Sequence, residues 1–406
     1  MDQLLVGFSA GLDAVEKEVL GATVNHGKRI AVLALAMGKH IGLNNNELIG
    51  LGACAILHDN ALSEYLRTGS LAETQTLDMR LHCINGEENI SFLPFPCNVK
   101  DIIKYHHEFC DKSGPFGMDP ENTPIGAQLI AMADDLDIHY NLPAASTDSL
   151  DELRTIIENR KGTRYTPFSV DAMLAVLDQD RLDSLKDENI DATFQEIMPP
   201  WVVKKPATEL MRLSEIVARI IDYKSHFTAK HSTQIANRAY WMARYYQFDA
   251  ETCARIYIAA AFHDIGKMMT PTAILEKQGK LTPDEFATIK EHVYWSYIML
   301  KDVEGLEEIC RWAVTHHRKL DGTGYPDLPD AYLENDFVSR LMTCIDIYQA
   351  VRETRPYHAG RSHEETMHIM NEMVLRGEID RQITADLDIE MARFKTGDGD
   401  VPSPFS

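Results

Sequence analysis

From His26, the apolar residues Ile30, Leu33, Ala34, Met37 and Ile41 recur at three- and four-residue spacing, which predicts a helix with one buried face. From His231, Ile235, Ala239, Met242 and Tyr246 repeat the pattern. Residues 251–262 predict a short apolar helix running into His263-Asp264, as residues 50–57 run into His58-Asp59. An amphipathic helix is expected over 208–222. Sustained β alternation is absent, and proline and glycine fall between the helical runs, so the fold class is read as all-α.

The polar positions on these elements form two matched series. His26, His58, Asp59, His82, His106, His107 and Asp134 recur in order as His231, His263, Asp264, His292, His316, His317 and Asp346. The offset is 205 positions for the first three, 210 for the next three and 212 for the last. The chain is therefore read as a duplication. Its expected organisation is a first copy over 1–178, a charged, proline-containing linker over 179–207, a second copy over 208–396 and a disordered tail over 397–406.

The balance of 40 Lys and Arg against 62 Asp and Glu, a net charge of −22 across 406 residues, argues against nucleic-acid polymers and anionic membranes as partners. Seven cysteines without a CxxC spacing read as reduced thiols. The opening segment has acidic residues where a secretion signal needs a basic start, and no apolar run reaches the roughly 20 residues of a membrane span. A cytoplasmic location is expected.

Imidazole and carboxylate ligands without thiolate suit Fe, Mn or Zn at a reactive site better than a structural zinc knot. Neighbouring side chains at a helix end diverge by about 100°, so His263 can face one ion while Asp264 bridges to a second, and His316-His317 can straddle the pair. Two ions about 3.5–4 Å apart can hold a bridging hydroxide and neutralise a phosphoryl group in flight, which suits phosphodiester hydrolysis.

At HDIGK (263–267) and HHRKLDGTGYP (316–326) the chain resembles the HD-GYP family of HD metal-dependent phosphohydrolases. FTAKHS (227–232), LEKQGKLTPDEF (275–286), KEH (290–292) and RPY (355–357) extend the match over roughly 208–385. The resemblance implies tandem HD-type helical bundles and a phosphodiesterase that opens a cyclic dinucleotide, cyclic di-GMP or 3′3′-cyclic GMP-AMP, to a linear dinucleotide. It implies two divalent ions, Fe or Mn, held by His231, His263, Asp264, His292, His316, His317 and Asp346, with Asp264 bridging. It further implies Lys267 beside the scissile phosphate, Arg355 as a phosphate or base clamp, and Asp321, Gly322, Gly324, Tyr325 and Pro326 shaping the pocket mouth. Arg352 is added to the substrate contacts by position alone.

Departures from the family pattern are informative. Phe227 stands where some members carry a glutamate for a third metal, Arg318 replaces a glutamate after the two histidines and joins the substrate-contact candidates, and His358 follows RPY. The first copy keeps His26, His58, Asp59, His82, His106, His107 and Asp134 as a second metal candidate. There HDIGK has become HDNAL, so Leu62 replaces Lys267, while Glu108 is retained. That copy is read as catalytically silent, with a role in oligomerisation or in contacting a signalling partner. The rival readings are a non-catalytic cyclic dinucleotide receptor or scaffold, and a nucleotidase of the wider HD class.

Overall fold

The computed structural model describes residues 1–62, 78–144, 147–224, 230–329, 332–353, 360–394 and 400–405. It separates into two compact units that divide between Val203 and Lys204. Helices dominate both, and among the described residues no β-sheet forms; the strand-like contacts there are isolated bridges such as Lys161 with Tyr165 and Arg318 with Gly324. Among the described residues no helix is long and apolar enough to cross a membrane.

The first unit is arranged around α2 (His26–His40), which packs against α1 (Asp2–Leu20), α3 (Asn45–Ile56), α5 (Ile125–Tyr140), α7 (Pro167–Val176) and α9 (Ile190–Ile197). Surrounded in this way, α2 is buried on every side from His26 to Gly38, not on the single face its periodicity predicts, and Ile41 falls just beyond its end. Local signals set the helix starts. A capping box of Asn44 and Glu47 opens α3, and Asp78 caps α4 (Met79–Ile90). Between α5 and α7 lies α6 (Thr147–Asn159).

The segment expected as a linker is structured. It holds α8 (Gln179–Ser184) and α9, buries Leu182, Leu185, Ile190, Phe194 and Trp201, and stacks Trp201 on Phe95 with ring centroids 5.3 Å apart. Its apolar residues sit among charges, which hides an amphipathic stripe that α2 covers.

In the second unit α10 (Ala207–Tyr223) and α11 (His231–Tyr245) pack with α12 (Ala250–Phe262). After the short α13 (Thr272–Leu275) come α14 (Pro283–Leu300), α15 (Glu307–Val314), α16 (Phe337–Arg352), α17 (His363–Leu375) and α18 (Arg381–Met391). Asp249, Asp336 and Asp380 cap α12, α16 and α18, and a Thr282–Glu285 capping box with Pro283 in the first turn opens α14.

The described part of the tail differs from the disordered expectation. Val401 is buried, donating its N–H to Gln234 Oε1 and accepting from Asn237 Nδ2, while Trp241 Nε1 donates to the Pro402 carbonyl at 2.9 Å. Polar composition misleads here, because a few backbone hydrogen bonds and the Phe405 ring against Tyr257 anchor the segment. His226, Phe227, Arg355 and His358 lie outside the described residues.

Candidate active site

Six elements of the second unit deliver seven ligand-type side chains to one point. His231 opens α11, His263 ends α12, Asp264 begins the following 3-10 turn, His292 projects from α14, His316 and His317 follow α15, and Asp346 lies on α16. Asp264 sits between two sets of nitrogens. Its Oδ2 lies 3.0 Å from His263 Nε2 and 3.4 Å from His231 Nε2, while Oδ1 lies 3.2 Å from His292 Nε2. His316 Nε2 is 3.5 Å from His292 Nε2, and Asp346 reaches His231 and His317 at 3.6 and 3.5 Å.

The histidines are oriented from behind. Nδ1 of His263, His292 and His316 lies 2.7, 2.6 and 2.6 Å from the carbonyl oxygen three residues earlier. Each Nδ1 therefore carries the proton and donates it, and the Nε2 lone pair is left facing the cluster. Sequence reading misses the partner of His231: its Nδ1 lies 2.8 Å from Glu353 Oε2. A carboxylate behind a ligating histidine fixes its ring and raises its basicity, so Glu353→Gln is expected to weaken metal binding by about 10–100-fold in a metal titration.

These groups fit divalent cations. His263 Nε2 and Asp264 Oδ1 are buried without a hydrogen bond, although polar neighbours stand within 3.2 Å, so they converge on a shared centre and not on one another. Burial, with His317 and Lys267 nearby, pushes His292 down to about 3, and burial likewise pushes His317 down to about 4, leaving both neutral and able to ligate. Burial alone would raise the Asp264 carboxyl, but His263, Lys267 and His231 hold it well below the usual carboxylate range.

The 265–269 turn is built around Gly266. A Cβ there would stand 1.9 Å from the His292 carbonyl oxygen and 2.6 Å from Ser296 N. Gly266 N donates to Ser296 Oγ at 3.0 Å, and Ser296 Oγ donates to the His263 carbonyl. Lys224 Nζ holds the far end of the turn through the Met268 carbonyl. This packing brings Lys267 Nζ onto Asp264 Oδ2.

The GTGYP loop stands against the same cluster. Gly324 has φ 98°, and a Cβ there would meet the His317 carbonyl at 2.1 Å, so only glycine lets the chain pass. The Tyr325 ring lies 4.6 Å from the His317 ring, and a cis peptide joins it to Pro326. Asp321 turns inward on its own loop, accepting from Thr323 N and Oγ1 at 2.9 and 2.7 Å beside Gly322. Arg318 is half-buried, and its Nη1 is buried without a partner among the described residues. Arg352 lies at the end of α16 near the Tyr348 ring and the Arg361 carbonyl.

The first unit gathers its own seven in the same order. Asp59 Oδ1 lies 2.9 Å from His82 Nε2 and 3.6 Å from His106 Nε2, and Asp134 Oδ1 lies 3.2 Å from His26 Nε2. Asp137 stands behind His26 at 2.6 Å as Glu353 stands behind His231. The Lys267 position is Leu62, fully buried. Glu108 holds a neighbouring loop by accepting from Phe116 N and Met118 N at 2.7 and 2.6 Å.

Comparison with known proteins agrees with this duplication. HD domains are matched at residues 23–138 and at 215–383. The chain is 29% identical over 371 residues to 3′3′-cGAMP-specific phosphodiesterase 1 of Vibrio cholerae, covering 89% of this chain and 85% of that one. It is also 29% identical over 300 residues to 3′3′-cGAMP-specific phosphodiesterase 3 of the same organism, covering 72% and 63%. A cyclic di-GMP phosphodiesterase of Pseudomonas aeruginosa is 31% identical over 161 residues, 39% of this chain and 37% of that one. The crystal structure of a cyclic GMP-AMP-specific phosphodiesterase of V. cholerae shares the fold, with a TM-score of 0.65 at 22% identity over 97% of both chains. With an HD domain in each half and the GYP loop seated on the second cluster, the chain belongs to the HD-domain family as a tandem protein whose second domain is of the HD-GYP type.

Proposed function

We propose that the second unit, within 208–396, is a metal-dependent phosphodiesterase that opens a cyclic dinucleotide to a linear one. The observation that carries this reading is the two-sided Asp264, whose oxygens face separate groups of histidine nitrogens with a lysine on one of them. His231, His263, Asp264, His292, His316, His317 and Asp346 would hold two divalent ions, and their mixed nitrogen and oxygen character suits Fe or Mn. Bound there, the ions supply Lewis acidity toward the phosphodiester and toward water.

The remaining chemistry belongs to side chains. Lys267 rests on Asp264 and is placed to transfer its ammonium to a phosphoryl oxygen as negative charge develops. Arg318 keeps a buried N–H of the kind an anionic ligand satisfies. Gly322, Gly324, Tyr325 and Pro326 wall the mouth, with Asp321 fixing their turn. Arg352 and Arg355 complete the expected clamp.

The relatives that span most of this chain are named for 3′3′-cGAMP, whereas the cyclic di-GMP enzyme of P. aeruginosa matches 39% of it. That contrast supports the hybrid dinucleotide as substrate. An anaerobic assay of the purified chain against both dinucleotides tests it, with linear product from 3′3′-cGAMP expected and absence of product from both overturning the proposal. Lys267→Met is expected to lower kcat about 10²–10³-fold with metal content unchanged. Leu62→Lys is expected to give the first unit no activity, because the rest of the clamp is missing there too.

A further inference from the structure

Among the described residues, the histidine cluster of the first unit holds Glu16 as well as the Asp59 and Asp134 that correspond to Asp264 and Asp346, and this added buried carboxylate comes from outside the HD domain matched at 23–138. Glu16 lies on α1, is 1% exposed, and has neither carboxylate oxygen hydrogen-bonded. Its carboxylate falls within one ligand-sized group with His58 and Asp59, and its Oε2 is 3.9 Å from His26 Nε2. One turn earlier on the same helix, Asp13 accepts from Gly27 N at 3.0 Å and so ties α1 to the start of α2. In the second unit Asp222 accepts from Ser232 N at 2.9 Å in the same way, but the residue three positions on is Ser225, which has no carboxylate.

The charges make this difference consequential. Glu16, Asp59 and Asp134 are all buried, and each keeps an oxygen without a hydrogen bond. Asp137, behind His26, is already matched by Arg29, whose Nε and Nη2 donate to it at 2.8 and 2.9 Å. In the second unit Lys267 brings a cation onto Asp264, whereas the first unit has the buried, apolar Leu62 at that position. Three buried carboxylates without that lysine are costly unless a cation or a proton lies among them. His58 Nε2 and His106 Nε2 are likewise buried without hydrogen bonds, with their Nδ1 atoms committed to backbone carbonyls.

We infer that the first unit holds its own hard divalent cation and that Glu16 is one of its ligands. A carboxylate from α1 occupies a coordination position that a hydrolytic centre leaves open to water, so the ion fastens α1 to α2 and α3 and does not turn over substrate. This reading is independent of hydrolysis by the second unit.

The test uses the full chain carrying His263→Ala and Asp264→Ala, equilibrated with Mn(II), with Mn counted by elemental analysis and the melting temperature recorded. Mn(II) is expected to remain bound and to raise the melting temperature. Adding the near-isosteric Glu16→Gln is expected to weaken Mn(II) binding at least about tenfold and to remove that rise, with helical circular dichroism preserved. Absence of bound Mn(II) before Glu16 is changed, or parent affinity after it, would overturn the inference. If Glu16→Gln does not fold, Glu16→Asp is compared by the Co(II) absorption spectrum, and a spectrum identical to that of the parent overturns it equally.

Discussion

Asp264→Asn is expected to lower cyclic dinucleotide hydrolysis by roughly 10³-fold or more and to strip metal from the second unit. The reason is geometric. Oδ1 serves His292's side of the cluster, and Oδ2 serves the side of His231, His263 and Lys267. An amide has one acceptor oxygen and one NH₂ donor, so one of the two sides must lose its anionic ligand and gain hydrogens pointing at a cation. Asparagine has nearly the same volume, so helical content should persist. Turnover and bound metal measured on one sample check this, with Asp59→Asn as the matched change in the first unit. Parent-level hydrolysis from Asp264→Asn alongside loss from Asp59→Asn would move the active centre to the first unit.

Gly266→Ala is expected to be as damaging to activity and more damaging to the fold. Its new Cβ would meet backbone atoms, the His292 carbonyl at 1.9 Å and Ser296 N at 2.6 Å, and backbone in the middle of α14 cannot yield without moving His292. Overpacking of this kind costs about 3 kcal/mol or more. At about 2–4 °C per kcal/mol for a unit of this size, the melting temperature should fall by roughly 6–12 °C. Hydrolysis should be lost with it, because Lys267 and His292 sit on the two surfaces being forced apart. A variant with parent stability would show that the turn is free to lift from α14. The first copy has alanine at the position of Gly266 and glycine at the position of Ser296. Ala61 is on its turn and Gly86 is on its helix, where Asn60 Nδ2 donates to the Gly86 carbonyl at 3.1 Å.

Much of this site is legible in the amino-acid sequence. Ligand identity and order come from chemistry that allows few substitutes, so a doubled His and Asp series stands out against helical sequence. Glu353 and Asp137 are not legible there, because a carboxylate behind a histidine carries no fixed spacing. Glu353 is 122 positions from His231, and only the approach of α16 to α11 brings them together. Glu16 is hidden for a related reason, since in sequence it looks like one more charge on an amphipathic helix. The 179–207 segment and the tail read as linker and disorder because composition reports average polarity. Which few apolar or backbone groups find a neighbour to cover them is not encoded in that average.

The helical class, the duplication, the metal-suited residue set and the loss of Lys267's counterpart in the first copy all follow from the order of residues, because periodicity, spacing and side-chain chemistry are local properties. Folding in three dimensions is what places Asp264 between two groups of nitrogens, requires glycine at 266 and brings Glu16 into the first cluster. Each of those depends on how close elements far apart in the chain approach, and the packing of whole helices sets that distance.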